Sequence, residues 1–222
     1  MTREELQIPR TPREMRDLIS SFEHDRATYP DNIVHNRQGV VKDLVEEYAP
    51  LLTLVENLED VETARLNPQY APIDAVVRLS SGRELSIQIT LANDSYQTAL
   101  HREILMEDGS ATVGSVKCRD KETGKAVDHG RGLRTREGRL REQVTEVMKA
   151  IECKAKKEEK RKAKGALPKT DVLLVWTEIT LDDSEIAYSW REDLTARFKI
   201  FGSILYETVY VANGMNLLKI KP

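Results

Sequence analysis

The spacing of apolar residues predicts that the chain begins with two amphipathic helices. Thr11-Pro12-Arg13-Glu14 is typical of a helix start, because Thr11 can cap, proline suits the first helical position and Glu14 can close a capping box. Apolar residues then follow at helical spacing as far as Phe22. A second helix is predicted from about residue 37, and Pro50 is expected to kink or restart it.

The pattern then changes from helical spacing to alternation, which predicts strands. Strands are expected at 61–66, 73–79 and 83–90, and the last two form a hairpin around Ser80-Ser81-Gly82. Farther along, the pattern predicts a helix ending near residue 107, a long Gly-rich loop at 108–132, a long basic helix at about 133–164, a buried strand at 171–176, a helix at 184–200 and a second hairpin at 207–220. Mixed strands and helices predict an α/β (α+β) fold with a mixed β-sheet flanked by helices. We expect residues 1–36 to form an N-terminal helical extension and residues 37–222 to form a single domain.

Charge is distributed unevenly along the sequence. The 222 residues include 34 Lys and Arg against 37 Asp and Glu, a net charge of −3. The segment from Lys117 to Lys169, however, contains 18 basic and 9 acidic residues, a local net charge of +9. The rest of the chain contains 16 basic and 28 acidic residues, a net charge of −12. The composition therefore does not exclude a nucleic acid partner. It equally allows a basic face that docks on an acidic one in a homodimer.

Several classes of protein are disfavoured by what the sequence lacks. Its two cysteines, Cys118 and Cys153, form no Cys-x-x-Cys pair and suit a reducing compartment, so we expect a cytoplasmic protein. The first ten residues have no apolar signal-peptide core, and no apolar run approaches the ~18 residues of a membrane span, so no membrane partner is expected. Phosphate-binding glycine motifs and the Gly-x-Ser-x-Gly element of acyl transfer are also missing.

The first hairpin carries the most informative polar residues. Asp74 lies near the start of one strand, and Gln88 and Thr90 share one face of the next. Reflection about the turn places Asp74 opposite Gln88 or Ile89, within side-chain reach. The simpler alternative is that these residues form a solvated strand face without a chemical role.

These residues resemble the motif of the restriction-endonuclease-like, or PD-(D/E)XK, nuclease superfamily, and the resemblance covers roughly residues 37–177. The family pattern is an aspartate at the start of one strand, then an acidic residue, any residue and a lysine on the next. A helix precedes the strands, and a helix and a strand follow them. Pro72-Ile73-Asp74 matches the first half with one extra residue, and Gln88-Ile89-Thr90 occupies the place of the second half.

The resemblance implies a restriction-endonuclease-like core and a Mg²⁺-dependent site for phosphodiester hydrolysis. Asp74 carries over as a metal ligand, and Gln88 as an uncharged one. Thr90 stands where the family has lysine, and Arg102 on the following helix is the nearest substitute cation. Glu46 or Glu47 on the preceding helix could supply a second carboxylate.

The basic segment divides into two parts. The arginines that adjoin the Gly-rich loop are candidates for binding a nucleic acid backbone: Arg131, Arg134, Arg136, Arg139 and Arg141. The lysine-rich stretch 154–164 is interrupted by Glu158 and Glu159, so a solvated, ion-paired helix end is the favoured interpretation there.

Two hypotheses about function follow. The first is a metal-dependent nuclease that acts on DNA phosphodiesters, since we expect the nucleic acid partner to be DNA rather than RNA. The second is a catalytically inactive protein of the same fold that binds nucleic acid or a protein partner, which the missing lysine and the uncharged Gln88 favour.

Overall fold

The computed structural model describes the two N-terminal helices, the central sheet and the long basic helix. The described residues are 1–25, 39–92, 100, 103–104, 117–120, 122–128, 136–163, 165, 170–177, 192, 196, 206–213 and 216–220, with the backbone alone for 117, 128, 136–143, 162 and 216.

The N-terminal helices follow the predicted start signals. Helix α1 spans Arg3–Leu6 and helix α2 spans Pro12–Asp25. The predicted capping box of α2 is confirmed, since the backbone N–H of Thr11 donates to Glu14 Oε2 at 2.8 Å and the N–H of Glu14 donates to Thr11 Oγ1 at 3.3 Å. These reciprocal bonds satisfy donors that a helix start leaves without intrahelical partners.

The next helical segment passes through Pro50 with a local change of winding. Helix α3 (Val40–Asp43) leads into a π-helical turn (Leu44–Tyr48), and helix α4 (Ala49–Glu56) continues from it. The N–H of Ala49 donates to the carbonyl of Leu44, five residues back. Because Pro50 has no N–H and its ring crowds the preceding turn, the wider turn relieves the clash. The predicted restart at Pro50 therefore takes the form of a π turn, and that turn carries Glu47.

Six of the strands in the described part of the chain form one mixed sheet. Its members are β1 (Val61–Leu66), β2 (Ala75–Leu79), β3 (Glu84–Ala92), β6 (Val172–Thr177), β7 (Thr208–Asn213) and β8 (Asn216–Ile220), in the order β1-β2-β3-β6-β7-β8. Strand β2 pairs antiparallel with β1 and with β3, strand β6 pairs parallel with β3 and with β7, and β8 pairs antiparallel with β7. The long helix α5 (Arg136–Ala163) stands between β3 and β6 in sequence, as a parallel crossover requires.

Helices cover both faces of the sheet. On one face, helices α1 to α4 pack on a core that includes Met15, Leu54 and Ile87. On the other face, α5 contributes Val147 and Ile151 to a second core against β6 and β7. The predicted α/β (α+β) fold with a mixed sheet flanked by helices is confirmed. Within the described part of the chain, no helix combines the length and the apolar character needed to cross a bilayer.

The structure adds detail to two of the predicted segments. Leu6, Met15 and Phe22 belong to the same hydrophobic core as residues of β1, β2 and β3. The segment predicted as an N-terminal helical extension therefore packs against the sheet. The stretch 108–132 is not only loop, because β4 (Lys117–Arg119) and β5 (Ala126–Asp128) pair as a small antiparallel hairpin. Short strands rich in charge escape a search for alternation. Most of the helices predicted before residue 107 and at 184–200 lies outside the described residues.

Candidate functional site

Asp74 lies at the start of β2, beside the middle of β3. Ala75 is paired with Ile87, so the next position along brings Asp74 beside Gln88, as the turn geometry predicts. The N–H of Asp74 donates to the carbonyl of Ile87 at 3.0 Å, and the N–H of Ile89 donates to Asp74 Oδ2 at 2.7 Å. The carboxylate is therefore held against β3 while 28% of its side chain stays exposed.

A cation from α5 stands beside this carboxylate. Lys154 Nζ lies 3.5 Å from Asp74 Oδ2, and its side chain is 20% exposed. The resemblance predicts that Thr90 or Arg102 stands at the place of the family lysine. Thr90 is half-buried on β3 and pairs with Val175 of β6, whereas Arg102 lies outside the described residues.

Gln88 is fixed in place by two neighbours. Its side chain is 7% exposed, its Nε2 donates to the carbonyl of Pro72 at 3.2 Å, and its Oε1 accepts a bond from the Tyr206 hydroxyl at 2.9 Å. Burial raises the pKa of Tyr206, and the charges of Glu158 and Asp74 raise it further, so its hydroxyl keeps its proton and acts as a donor. These contacts set the orientation of the amide group.

The end of α5 is not a solvated helix end on the side that meets the sheet. Glu158 is 2% exposed and accepts bonds from Arg161 Nη1 at 2.9 Å and from Thr170 Oγ1 at 3.4 Å. Arg161 Nη1 also donates to the carbonyl of Pro72 at 2.7 Å. The predicted ion pairing of this segment is found in the Arg161–Glu158 pair, but the expectation of solvation is wrong for this face.

A spacing signal in the sequence marks these residues, and a count of charges alone does not show it. Lys154, Glu158 and Arg161 continue the spacing of the buried residues Val147 and Ile151, at intervals of three and four. Positions at that spacing lie on one helix face. A charged residue on such a stripe therefore points to a contact with the sheet, whereas Lys156, Lys157 and Lys160 are exposed.

Glu47 lies on the π turn and is paired with the N-terminal helix. Arg3 Nη2 lies 3.3 Å from Glu47 Oε2, and Arg3 also forms an ion pair with Asp43. Burial raises the pKa of Glu47, the negative charges of Asp43 and Asp74 add to that shift, and Arg3 opposes it. Glu47 is thus close enough to Asp74 for their charges to interact, but its direct partner is Arg3.

Asp74 and Gln88 bring one carboxylate and one amide to this part of the sheet. Asp74 offers a charged oxygen, and the Gln88 amide oxygen keeps a second lone pair beside its bond from Tyr206. Among the described side chains, no group of three or more His, Cys, Asp and Glu residues is placed to hold a metal ion. Because affinity for Mg²⁺ rises with the number of charged ligands, this arrangement predicts weak binding.

The candidate arginines of the basic segment lie where the structure describes no side chains. Arg131 and Arg134 lie outside the described residues, and Arg136, Arg139 and Arg141 occupy the first turns of α5 with the backbone alone described. Their role in binding nucleic acid stays a prediction.

Comparisons of the chain with protein-family models, with curated proteins and with solved structures found no match. The resemblance to the nuclease superfamily therefore stays a prediction that depends on the residues themselves.

Proposed function

We propose that the protein is a metal-dependent nuclease-like protein that acts on DNA phosphodiesters at a site centred on Asp74 and Lys154. The observation that carries this proposal is the 3.5 Å approach of the Lys154 ammonium to the Asp74 carboxylate. The absence of a lysine from the second half of the motif was the main sequence argument against activity. Lys154 offers the same charge from a different element.

The order of the elements around the site supports the proposal. A helical segment at 40–56 precedes three antiparallel strands, and a helix and a strand parallel to β3 follow them. This is the order that the resemblance to the PD-(D/E)XK superfamily implies, with Asp74 at the start of the second strand. The exposed thiol of Cys153 favours the cytoplasm as its compartment.

Each residue of the proposed site has a separate chemical role. Asp74 would hold a Mg²⁺ ion together with the Gln88 amide oxygen. Mg²⁺ bound at such a site supplies Lewis acidity toward a phosphate and a more acidic water. Lys154 supplies a positive charge that attracts the phosphate backbone and orients a water molecule beside the carboxylate. Gln88 adds no charge, and Tyr206 keeps its amide oriented.

The test is a cleavage assay with Mg²⁺ or Mn²⁺ on duplex, single-stranded and branched DNA. Wild-type protein should cut at least one of these substrates, and both Asp74→Asn and Lys154→Ala should lower the rate at least 100-fold. Lys157→Ala, which removes an exposed lysine from the same helix, is the matched control and should leave the rate unchanged. Equal loss in Lys154→Ala and Lys157→Ala would reduce the role of Lys154 to general helix charge.

A second candidate function is a non-catalytic protein of the same fold that binds nucleic acid or a protein partner. The buried Gln88 amide favours it, because both of its polar atoms already have partners within the protein. Titration calorimetry with MgCl₂ separates the candidates. Metal binding that is lost in Asp74→Asn supports the nuclease, whereas DNA binding that weakens with salt but ignores Mg²⁺ supports the binding protein.

A further inference from the structure

An exposed aromatic side chain stands at the tip of the loop that leads into the site. Residues 67–74 connect β1 to β2, and we call this segment the Tyr70 loop. The Tyr70 side chain is 95% exposed, whereas the other large exposed hydrophobic among the described residues, Ile8, is 51% exposed. The ring of Tyr70 therefore contributes almost nothing to the packing of the folded chain.

The backbone at Tyr70 adopts a conformation that its side chain disfavours. Its φ of 71° lies in the left-handed region, which glycine and asparagine adopt more readily than an aromatic residue. Neither burial nor backbone preference thus explains a tyrosine at this position. Strained backbone conformations cluster at functional sites, so this one motivates a search for a ligand of the ring.

The Tyr70 loop is braced within itself, so its tip has a fixed position. The N–H of Asn67 donates to the carbonyl of Asp74 at 2.8 Å, which closes the loop at its base. Asn67 Nδ2 donates to the carbonyl of Ile73 at 3.1 Å, and the N–H of Ala71 donates to the carbonyl of Pro68 at 3.0 Å. Fixing the loop in advance lowers the entropy lost when the ring binds a ligand.

Cationic side chains surround the base of the same loop. Arg161 donates to the carbonyl of Pro72, Arg65 Nη1 donates to Asn67 Oδ1 at 3.0 Å, and Lys154 pairs with Asp74. Proteins that bind single-stranded nucleic acid combine aromatic rings, on which bases stack, with cationic side chains that follow the phosphate backbone. Tyr70 and Ile8 together offer far less apolar area than the ~800 Å² per partner of a stable protein interface.

We infer that Tyr70 stacks against an unpaired base of a nucleic acid bound at the Asp74–Lys154 site. The inference rests on the proposed function and specifies its substrate as a strand with at least one unstacked base next to the reactive phosphate. Four positions separate Tyr70 from Asp74, so the stacked base belongs to a nucleotide close to the site.

The experiment compares binding of two labelled oligonucleotides by fluorescence anisotropy at fixed salt, one a single-stranded oligothymidine and the other its abasic counterpart of equal length. Tyr70→Ala should bind the base-containing strand about 5- to 150-fold more weakly than wild type, the effect measured for base stacking on aromatic side chains. Tyr70→Phe and Tyr70→Trp keep a ring and should bind like wild type. Gln69→Ala, an exposed neighbour on the same loop, is the matched control and should change nothing.

The abasic strand separates stacking from charge. Wild type and Tyr70→Ala should bind it equally and weakly, because it offers phosphates without bases. Equal affinity of wild type and Tyr70→Ala for the base-containing strand overturns the stacking role. If Lys154→Ala still abolishes cleavage in that case, the proposed nuclease function is retained without a stacking role for Tyr70. Failure of the wild-type protein to bind or cut any of the nucleic acids overturns both proposals.

Discussion

Replacement of Tyr206 by phenylalanine tests whether the amide of Gln88 is fixed from within the protein. The substitution keeps the ring that packs against α5 and β7 and removes only the hydroxyl that donates to Gln88 Oε1 at 2.9 Å. Tyr206 is 2% exposed and Gln88 is 7% exposed, so water cannot easily replace the lost donor. The effect should therefore appear as the cost of a buried acceptor left without its partner.

The expected loss in the free energy of unfolding is about 1–3 kcal/mol. Gln88→Leu should cost a similar amount, because it leaves the Tyr206 hydroxyl buried without an acceptor. The carbonyl of Pro72 loses its bond from Gln88 in that variant but keeps the one from Arg161 at 2.7 Å. In the double variant neither polar partner is left, so its loss should fall short of the sum of the single losses by about 1–2 kcal/mol.

Urea denaturation of the four proteins, followed by circular dichroism, gives these energies. The same series at alkaline pH adds a second signature. Because burial raises the pKa of Tyr206 above its ordinary 10.0, the unfolded chain loses this proton first as the pH rises. Stability from this group is present below pH 10 and falls above it. The decline should be shallower in Tyr206→Phe.

Two results would refute the reasoning. A loss below about 0.5 kcal/mol in Tyr206→Phe would mean that the Gln88 amide is not held by this bond. Additive losses in the double variant would mean that the two residues act independently, so that the Tyr206 hydroxyl does not hold the Gln88 amide.

Three further predictions concern the fold and its charges. Glu47→Gln should flatten the pH dependence of the melting temperature above pH 4.5, because the raised pKa of Glu47 makes wild-type stability fall as the pH rises through it. Gly82→Ala should cost about 1–2 kcal/mol in urea melts, since a φ of 80° disfavours any side chain although the space is open, and Ser81→Ala should be near neutral. Ile87→Ala, at a fully buried position of β3, should cost about 2–5 kcal/mol in the same assay.

Local sequence patterns were sufficient for the elements that carry their own signals. The capping box at Thr11 starts α2, and the turn at Gly82 sets the hairpin register that brings Asp74 beside Gln88. These features depend on residues close in sequence, so their geometry follows from local rules. The β4–β5 hairpin was missed because three-residue strands leave too few positions for a period to show.

The contacts of the candidate site were decided by tertiary structure. Asp74 meets Lys154 from 80 positions away, and Gln88 meets Tyr206 from 118 positions away. A local sequence pattern cannot predict such pairings, because they depend on how distant elements pack. The crossover between β3 and β6 places α5 over these two strands, and β7 pairs with β6. The sequence alone determined which carboxylate begins β2 and which amide faces it. Packing of α5 and β7 decided that a lysine stands beside that carboxylate and that a tyrosine holds that amide, since only the assembled sheet brings those residues within bonding distance.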